Sequence, residues 1–284
     1  MKKIYMWYKN LPNRTRDSFT YAFALIGAIS TIFSIFGISL RDIPKINLWM
    51  SIVLVVIAFV AAFGIIYYVI GRIFKDSVKM DIRKTPVSII CGNIFETSGW
   101  KVIGCDTHFD TRIDDVVIAK SSLHGQLFLN HGNINEIKAA VEAEANRLQI
   151  SKNTDGSYTF PLGTIIRYDS SKDSQTYLML AMMGLDSQNE AHTNMAKFEQ
   201  MLMKMWRELD RVYARNDIAL PLLGSGISRF DDGPKGDNEL LKCMLCTLNN
   251  SGVTFKSKVS VVLYRSSNSD DENDIPLYEY RNMF

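Results

Sequence analysis

The sequence of 284 residues predicts two membrane-spanning helices followed by a cytoplasmic α/β domain. Residues 1–79 contain two long uncharged runs, and their Lys and Arg outnumber Asp and Glu by 7. Residues 80–284 carry a net charge of −5. After Pro86, short apolar runs alternate with stretches of helical periodicity, which is typical of α/β domains. We therefore predict a membrane anchor at 1–79 and one cytoplasmic ligand-binding domain at 80–284.

The composition excludes several classes of protein. A hydrophobic content of 47% is too high for a disordered chain, and four cysteines are too few for a disulfide scaffold of this length. The larger, C-terminal part is acidic and would repel phosphate backbones, so a nucleic-acid-binding protein is not expected.

The two uncharged runs have the length of transmembrane helices. Residues 18–40 form a run of 23 and residues 46–71 a run of 26. A helix needs roughly 20 apolar residues to cross a hydrocarbon core of about 30 Å. The alternative is a buried helical hairpin of a soluble protein. A cleaved signal peptide fits less well, because two spans follow one another without a small-residue cleavage site.

Cationic residues on the outer sides of the spans predict the orientation. They are Lys2, Lys3, Lys9, Arg14 and Arg16 before the first span, and Arg72, Lys75, Lys79, Arg83 and Lys84 after the second. The connecting loop offers only Arg41 and Lys45 against Asp42. By the positive-inside rule, both termini lie in the cytoplasm.

The first span carries small residues that would allow close helix packing. They are Gly27, Ala28, Ser30, Thr31, Ser34 and Gly37. They could mediate self-assembly in the bilayer, or they could pack against the second span of the same chain. No ionisable residue lies in either span, so the sequence predicts no proton relay or substrate pathway there.

The pattern after Pro86 predicts strands and helices in alternation. The predicted strands are 87–91, 101–105, 115–119, 163–168, 177–185, 217–223 and 258–264, and the predicted helices are 133–148, 192–215 and 235–250. The polar, acidic stretch 266–274 is predicted to be a mobile loop. No repeat and no long linker interrupts this part, so it is interpreted as one domain.

A glycine motif follows one of these strands. The apolar run 218–223 leads into Gly224-Ser225-Gly226. At the carboxyl end of a strand in an α/β sheet, glycines allow backbone N–H groups to surround an anion such as a pyrophosphate. The motif is neither a Walker loop nor a dinucleotide fingerprint, and a turn with a purely structural role remains the alternative.

Three motifs together resemble a known family. They are a strand followed by Gly92-Asn93-Ile94-Phe95, a strand that ends at Cys105-Asp106, and the stretch 220–230. This order is similar to that of macro domains, the ADP-ribose-binding modules, and implies a macro-like three-layer α/β/α fold over residues 86–265. With two spans ahead of it, the domain resembles the membrane-anchored macro-domain effectors (ThsA) of type II Thoeris antiphage defence systems.

The resemblance implies a function in abortive infection. In that family, a partner TIR-domain enzyme converts NAD into an ADP-ribose-derived messenger, here expected to be histidine-ADP-ribose. The effector binds the messenger, forms a homo-oligomer and disrupts the lipid membrane, which leads to cell death or growth arrest. The implied location is the bacterial cell membrane, with two spans and both termini cytoplasmic. No other cofactor and no metal is expected.

The resemblance also implies a ligand site. Asn93 stands where macro domains usually have an aspartate that accepts a hydrogen bond from adenine. Residues 106–109 correspond to a first ligand loop near the distal ribose, 122–125 to a turn facing phosphate, and 224–230 to a second loop around the diphosphate. The implied ligand-binding residues are Asn93, Ile94, Asp106, Thr107, His108, Phe109, Ser122, Leu123, His124, Gly125, Gly224, Ser225, Gly226, Ile227, Ser228, Arg229 and Phe230.

Binding rather than catalysis is predicted. Hydrolytic macro domains carry an Asn-Ala-Ala-Asn stretch followed by three glycines, and neither occurs in this sequence. The alternatives are a membrane-tethered ADP-ribosyl hydrolase or ADP-ribose phosphatase, and a protein-binding tether in which the Gly-Ser-Gly turn only closes a loop. Cys243 and Cys246 lack a second cysteine pair at zinc-ligand spacing and are interpreted as core thiols.

Overall fold

The computed structural model describes residue 8 and residues 11–36, 47–115, 117–184, 192–226, 229–264, 275–281 and 283–284. The chain divides into two compact units. The first comprises Met1–Val78 together with Pro276–Met283, and the second comprises Lys79–Ile275 with Phe284. The division after Val78 lies next to the boundary expected at residue 79. Residues 276–283, which the sequence assigned to the cytoplasmic domain, are grouped with the helical unit instead.

The first unit is built from two long helices. Helix α1 spans Asn13–Ile35 and helix α2 spans Leu48–Ile73. Both are long and apolar enough to cross a membrane, and many of their large apolar side chains are exposed. Helix α1 begins and ends five residues before the predicted span. Helix α2 begins where the side chain of Asn47 accepts a hydrogen bond from the Met50 N–H.

Aromatic side chains form the contact between α1 and α2. The ring of Phe19 lies 4.6 Å from that of Phe63, and the ring of Phe23 lies 4.5 Å from that of Phe59. Of the small residues singled out above, Gly27, Ala28, Ser30, Thr31 and Ser34 are exposed in the single chain, while Gly37 lies outside the described residues. Self-assembly through these small residues and packing against α2 both stay predictions.

The second unit contains a seven-stranded sheet. Its strands are β1 (Ser77–Ile82), β2 (Thr85–Cys91), β3 (Trp100–Asp106), β4 (Ile165–Asp169), β5 (Thr176–Met183), β7 (Ile218–Pro221) and β9 (Val259–Leu263). They lie side by side in the order β1-β2-β9-β7-β3-β5-β4. A small second sheet pairs β6 (His192–Thr193) with β8 (Arg229–Phe230). The helices are α3 (Leu123–Gln126), α4 (Ile134–Leu148), α5 (Met195–Val212) and α6 (Asp237–Ser251).

The central strands run in one direction. Strands β2, β9, β7, β3 and β5 pair in parallel, and β4 pairs antiparallel with β5. Parallel strands covered on both faces are expected to read as continuous apolar runs, and all five residues of β9 are buried. Helix α4 buries Ile137, Val141 and Ala145 in the core that includes Ile103 of β3. The predicted α/β class is confirmed.

The predicted strand at 115–119 is wrong. Its described residues form turns, because the side chain of Asp114 accepts a hydrogen bond from the Val117 N–H and that of Asp115 accepts one from the Lys120 N–H. Such local bonds compete with strand pairing. The predicted helix 192–215 is wrong at its start, because His192–Thr193 form a short strand and the helix begins at Met195 after its cap Asn194. The remaining predicted strands and helices are present with shifted ends, and the predicted loop at 266–274 lies outside the described residues.

Strand β1 is an addition that the sequence pattern did not predict. It precedes β2 through a two-residue turn at Arg83 and Lys84, whose φ angles are 47° and 68°. Positive φ at both central residues is the geometry of tight hairpin turns. The turn lacks the Asn-Gly or Asp-Gly signal of such hairpins, so the sequence gives no local indication of a strand at 77–82.

Candidate ligand-binding site

Five parallel strands end at the same edge of the sheet, where α/β proteins commonly bind ligands. The chain leaves this edge as Gly92-Asn93 after β2, residues 107–110 after β3, Gly184 after β5, residues 222–226 after β7 and Tyr264 after β9. The hydrogen bond from Gly92 N to Leu263 O, at 2.9 Å, holds the first and last of these exits together. Three of the predicted ligand segments therefore begin at this edge.

Asp106 organises the first ligand loop. Its side chain is almost completely buried, with the residue 5% exposed. Oδ1 accepts a hydrogen bond from the His108 N–H at 2.5 Å, and Oδ2 accepts one from the Asp110 N–H at 3.0 Å. Both carboxylate oxygens thus hold the backbone of the loop, and charge-assisted bonds of this kind are strong.

Two of the predicted ligand residues in this loop are packed into the protein. Phe109 is buried, has φ 51°, and places its ring edge-on to Phe160 at 5.2 Å. Thr107 is buried, and its N–H donates to Met183 O at 2.9 Å. His108 is the more exposed side chain, with Nδ1 3.8 Å from Asp106 Oδ1. Direct ligand contact by Thr107 and Phe109 stays a prediction.

The turn before α3 is held by its own hydrogen bonds. Ser122 Oγ accepts from the Gly125 N–H at 3.0 Å and donates to Ala119 O at 2.7 Å. A Cβ on Gly125 would lie 2.3 Å from Ala119 O, so only glycine fits there. The N–H of Gly125 is consequently engaged by Ser122, while Leu123 begins helix α3.

His124 lies beside Asp106 and is 5% exposed. Its Nδ1 is 4.0 Å from Asp106 Oδ2, and its ring meets Phe128 edge-on at 4.6 Å. Burial lowers the pKa of His124, whereas Asp106 and a backbone hydrogen bond with Asp110 act in the opposite direction. The contact between His124 and Asp106 brings the turn before α3 next to the first ligand loop, although the two segments are separate in the sequence.

The loop after β7 combines a constrained glycine with an open one. Gly224 has φ 86°, and a Cβ there would lie 3.4 Å from both Leu240 and Phe230. Ser225 Oγ donates to Leu222 O at 2.9 Å. Around Gly226, by contrast, a Cβ would meet none of the described residues within 4 Å. Contact of this loop with a ligand stays a prediction.

The end of this loop is fixed by the small second sheet. Phe230 pairs with Thr193, and its ring packs edge-on against Phe198 at 5.6 Å. Arg229 pairs with His192 and is exposed. The Phe230 ring therefore already contacts Phe198 of helix α5. Stacking of Phe230 on a ligand stays a prediction. Ile227 and Ser228 lie outside the described residues.

Asn93 caps the short 3-10 helix Ile94–Glu96. Its Oδ1 accepts a hydrogen bond from the Phe95 N–H at 3.1 Å, and its Nδ2 donates to Glu96 Oε1 at 3.0 Å. The side chain is exposed at the sheet edge, while Ile94 is buried. A carbonyl oxygen has two lone pairs, so Oδ1 retains one for a ligand donor.

Tyr264 is a candidate residue that the sequence reasoning missed. It follows β9, next to the exit that carries Asn93, and is 83% exposed. An exposed aromatic ring at a ligand edge can stack on a nucleobase. The position of Tyr264 directly after the last apolar run could have indicated an exposed residue at the strand end. The predicted strand 258–264 instead included Tyr264, whereas β9 ends at Leu263.

The cysteines are reduced and buried or half-buried. Burial raises the pKa of Cys105, and it raises that of Cys243 to about 12, so neither is a thiolate at neutral pH. In the part of the chain that the structure describes, no group of three or more His, Cys, Asp or Glu side chains could hold a metal ion.

The family described as Thoeris protein ThsA, Macro domain, matches residues 87–264. Thoeris protein ThsA of Bacillus amyloliquefaciens (strain Y2) is 29% identical over 290 residues, covering 98% of this chain and 93% of that protein. Among solved structures, the Oceanobacillus iheyensis macrodomain with ADP has a TM-score of 0.47 at 17% identity and covers 72% of this chain and 94% of its own. A mutant of that macrodomain with ADPR has a TM-score of 0.48 at 19% identity and covers 72% and 96%.

The family match confirms the resemblance and the macro-like fold that the three motifs predicted. It extends from β2 to the residue after β9, and so includes every strand whose exit contributes to the candidate site. The chain belongs to the family of Thoeris protein ThsA, and residues 87–264 are its macro domain.

Proposed function

We propose that this protein is an antiphage defence effector that binds an ADP-ribose-type messenger, histidine-ADP-ribose, made by a partner TIR-domain enzyme. Ligand binding at the edge of the macro domain drives the assembly of several chains in the bacterial membrane. The assembled helices disrupt the bilayer, and the infected cell dies or stops growing. Membership of the ThsA family and the two long apolar helices support this proposal.

The observation that carries the proposal is the open glycine loop at the sheet edge. In the part of the chain that the structure describes, a Cβ at Gly226 would meet nothing within 4 Å, while Gly224 is confined by Leu240 and Phe230. The part of the chain from residue 80 onward has a net charge of −5, so its overall field repels an anion. Attraction must come from nearby backbone N–H groups, which act at short range.

The adenine end of the ligand fits the exits of β2 and β9. Asn93 offers an acceptor for the exocyclic amino group, and Tyr264 offers an exposed ring. The Gly92 N to Leu263 O bond keeps these two exits adjacent. An acceptor beside a stacking ring is a common arrangement for holding a purine.

Replacing Tyr264 by alanine is expected to weaken ADP-ribose binding by about tenfold, since stacking on one base contributes roughly 1–3 kcal/mol. Replacement by phenylalanine keeps the ring and should leave the affinity within about threefold. Isothermal titration calorimetry of the full-length protein in lipid nanodiscs measures both. Equal affinities for wild type and Tyr264→Ala would remove this residue from the site.

The geometry of Asp106 supports binding over hydrolysis. A carboxylate that activates water must come within hydrogen-bond reach of that water, which requires access to it. Both oxygens of Asp106 hold backbone N–H groups, and the residue is 5% exposed. We therefore propose a reader of the messenger that does not turn it over.

The membrane half of the proposal relies on α1 and α2. The small residues of α1 are exposed in the single chain, which leaves a surface on which helices of different chains can approach closely. A ligand can drive assembly only if it binds the assembled state more tightly than the single chain.

Release of a trapped dye from liposomes tests the whole sequence of events. Liposomes carrying the full-length protein should leak when histidine-ADP-ribose is added and should stay intact with NAD. Protein carrying Gly226→Glu is the matched control and should not respond. If saturating histidine-ADP-ribose binds, as shown by calorimetry, and causes no leakage, membrane disruption is wrong while messenger binding stands.

A further inference from the structure

Strand β1 is an edge strand of the seven-stranded sheet, with β2 as its neighbour on one side. The two strands are joined by a two-residue turn, so the residues that flank the turn, Ile82 and Thr85, form a hydrogen-bonded pair. Such pairs recur at every second residue, so the even-numbered residues of β1 turn their backbone groups toward β2. The odd-numbered residues turn theirs outward. These outward N–H and C=O groups, here called the β1 edge, belong to Ser77, Lys79 and Asp81.

A bond on the far side of β2 supports this alternation. Gly92 N donates to Leu263 O at 2.9 Å, which turns the even-numbered residues of β2 toward β9 and leaves the odd-numbered ones, including Thr85, for β1. Exposure has the same period, and all three residues of the β1 edge are exposed. Within the described ranges, no further strand occupies the β1 edge. Unpaired backbone groups in a row are a template for another strand.

Two opposite charges stand on the β1 edge. Lys79 and Asp81 are two residues apart, so their side chains lie on the same face of the strand. The edge strand on the other side of the sheet, β4, has the same spacing in Arg167 and Asp169, and these two side chains pair with each other at 3.0 Å. Lys79 and Asp81 both lie in the described part of the chain and form no such pair. Their charges therefore remain available to a neighbouring strand.

The charges favour a second copy of β1 in one register. Two copies can pair antiparallel about a two-fold axis, and residues with outward backbone groups then stand opposite one another. With Met80 at the axis, Lys79 of each chain is opposite Asp81 of the other, which gives two pairs of opposite charge. With residue 79 or residue 81 at the axis, like charges stand opposite each other, which is destabilising. Of these three registers, only the first is favoured by charge.

We propose that the β1 edge is an interface between two copies of this chain, which pair as antiparallel strands with Met80 opposite Met80 and two Lys79–Asp81 ion pairs. The inference rests on the proposed function, in which several chains assemble in a membrane, and it names a surface at which they meet. Chains confined to one bilayer meet at a high effective concentration, so a short strand pair suffices. Residues 74–76 alone separate α2 from β1, so paired β1 strands tether the apolar helices of the two chains.

Reversal of the charges tests the pairing. Full-length chains that carry donor or acceptor dyes on an N-terminal tag are placed in liposomes, with and without histidine-ADP-ribose, and energy transfer reports pairing. Lys79→Asp or Asp81→Lys alone puts like charges opposite each other and should weaken pairing by about tenfold or more. Lys138→Asp makes the same change at an exposed position of α4, and this matched control should pair like wild type.

A mixture of the two single variants distinguishes an interface from a defect in folding. In a heterodimer of Lys79→Asp with Asp81→Lys, opposite charges again face each other at both positions, so energy transfer should return to the wild-type level. The double variant should also recover it. A role of these side chains within one chain cannot produce rescue by a different chain. Single variants that pair like wild type, or a mixture that restores nothing, overturn the inference.

Disulfide formation in the liposomes tests the register. Because Met80 turns its backbone toward β2, its pair with the second Met80 is not hydrogen-bonded, and the Cα atoms of such a pair are about 4.5 Å apart, within the range of a disulfide. Met80→Cys should therefore give a covalent dimer under mild oxidation, above the background of the native cysteines. Ser77→Cys is the control, since its two copies would lie about 20 Å apart along the strands and should stay unlinked.

The inference and the proposed function fail in different ways. A covalent dimer through Ser77→Cys, or none through Met80→Cys, overturns the inference whatever the charge variants show. Dye release on addition of histidine-ADP-ribose would then leave the proposed function standing. If Met80→Cys forms the dimer while the protein neither binds histidine-ADP-ribose in calorimetry nor releases dye, the proposed function is wrong and the interface stands.

Discussion

Replacing Gly226 by glutamate should reduce ADP-ribose affinity by about 100-fold or more. None of the described residues would contact a Cβ at Gly226, so the change should not disturb their packing, but it places a carboxylate where the diphosphate is proposed to lie. Two unit charges of like sign about 5 Å apart repel by roughly 3 kcal/mol at an effective dielectric constant of about 20. Calorimetry of full-length wild type and Gly226→Glu in nanodiscs gives the ratio of affinities.

Two further substitutions at Gly226 separate charge from size. Alanine adds one methyl group in open space and should bind ADP-ribose within about threefold of wild type, since its Cβ has no close neighbour. Glutamine has the bulk of glutamate without its charge and should lie between alanine and glutamate. Unchanged affinity in Gly226→Glu would exclude this loop as the diphosphate site.

The sheet was predictable because its central strands are buried on both faces. The predicted strands 258–264 and 101–105 are mostly apolar after their first residue and lack the regular alternation of a sheet with one face in solvent. Parallel pairing then placed their carboxyl ends at one edge, and the glycines after residue 223 indicated which loop faces a ligand. Local composition was sufficient for these features.

The details of the site depend on contacts between distant residues. No local pattern shows that both oxygens of Asp106 turn inward to hold their own loop, or that His124 returns to Asp106 from 18 positions later. The same limit explains the wrong strand at 115–119, where two aspartate side chains bind nearby N–H groups instead of leaving them for a sheet. Side-chain capping at short range outweighed the apolar residues that follow, such as Val117 and Ile118.

The C-terminal segment illustrates this limit most clearly. Residues 276–283 follow the macro domain in the sequence, yet they pack in the first unit. Helix α1 begins after Pro12, which provides no side-chain cap. The carboxylate of Glu279 caps the helix in place of Pro12. Its Oε2 accepts a hydrogen bond from the Asn13 N–H at 2.8 Å, and its Oε1 accepts one from the Arg14 N–H at 3.1 Å. A carboxylate is well suited to the positive end of a helix dipole.

A second contact joins the same segment to α1. The hydroxyl of Tyr278 donates to Asp17 Oδ2 at 2.7 Å, and the Tyr278 ring meets Phe74 edge-on at 5.0 Å. Burial, with a further contribution from Asp17, raises the pKa of Tyr278 to about 12. The hydroxyl therefore remains a donor throughout the neutral range, and the cap by Glu279 is held in place by its neighbour.

Replacing Glu279 by lysine should release this cap. The substitution removes both acceptors from the first N–H groups of α1 and puts a positive charge beside them, which together should cost about 1–3 kcal/mol. The amides of Asn13 and Arg14 should then exchange with solvent about 5-fold to 150-fold faster, as measured by hydrogen exchange of the full-length protein in nanodiscs.

Glu279→Gln retains one acceptor oxygen without the charge and should give an intermediate rate, while Tyr278→Phe removes only the hydroxyl bond to Asp17. Equal exchange in wild type and Glu279→Lys would show that the start of α1 does not depend on the C-terminal segment. Faster exchange would instead show that residues 276–283, which follow the macro domain, stabilise the first of the two long apolar helices. Charge and hydropathy along the sequence did not indicate this contact.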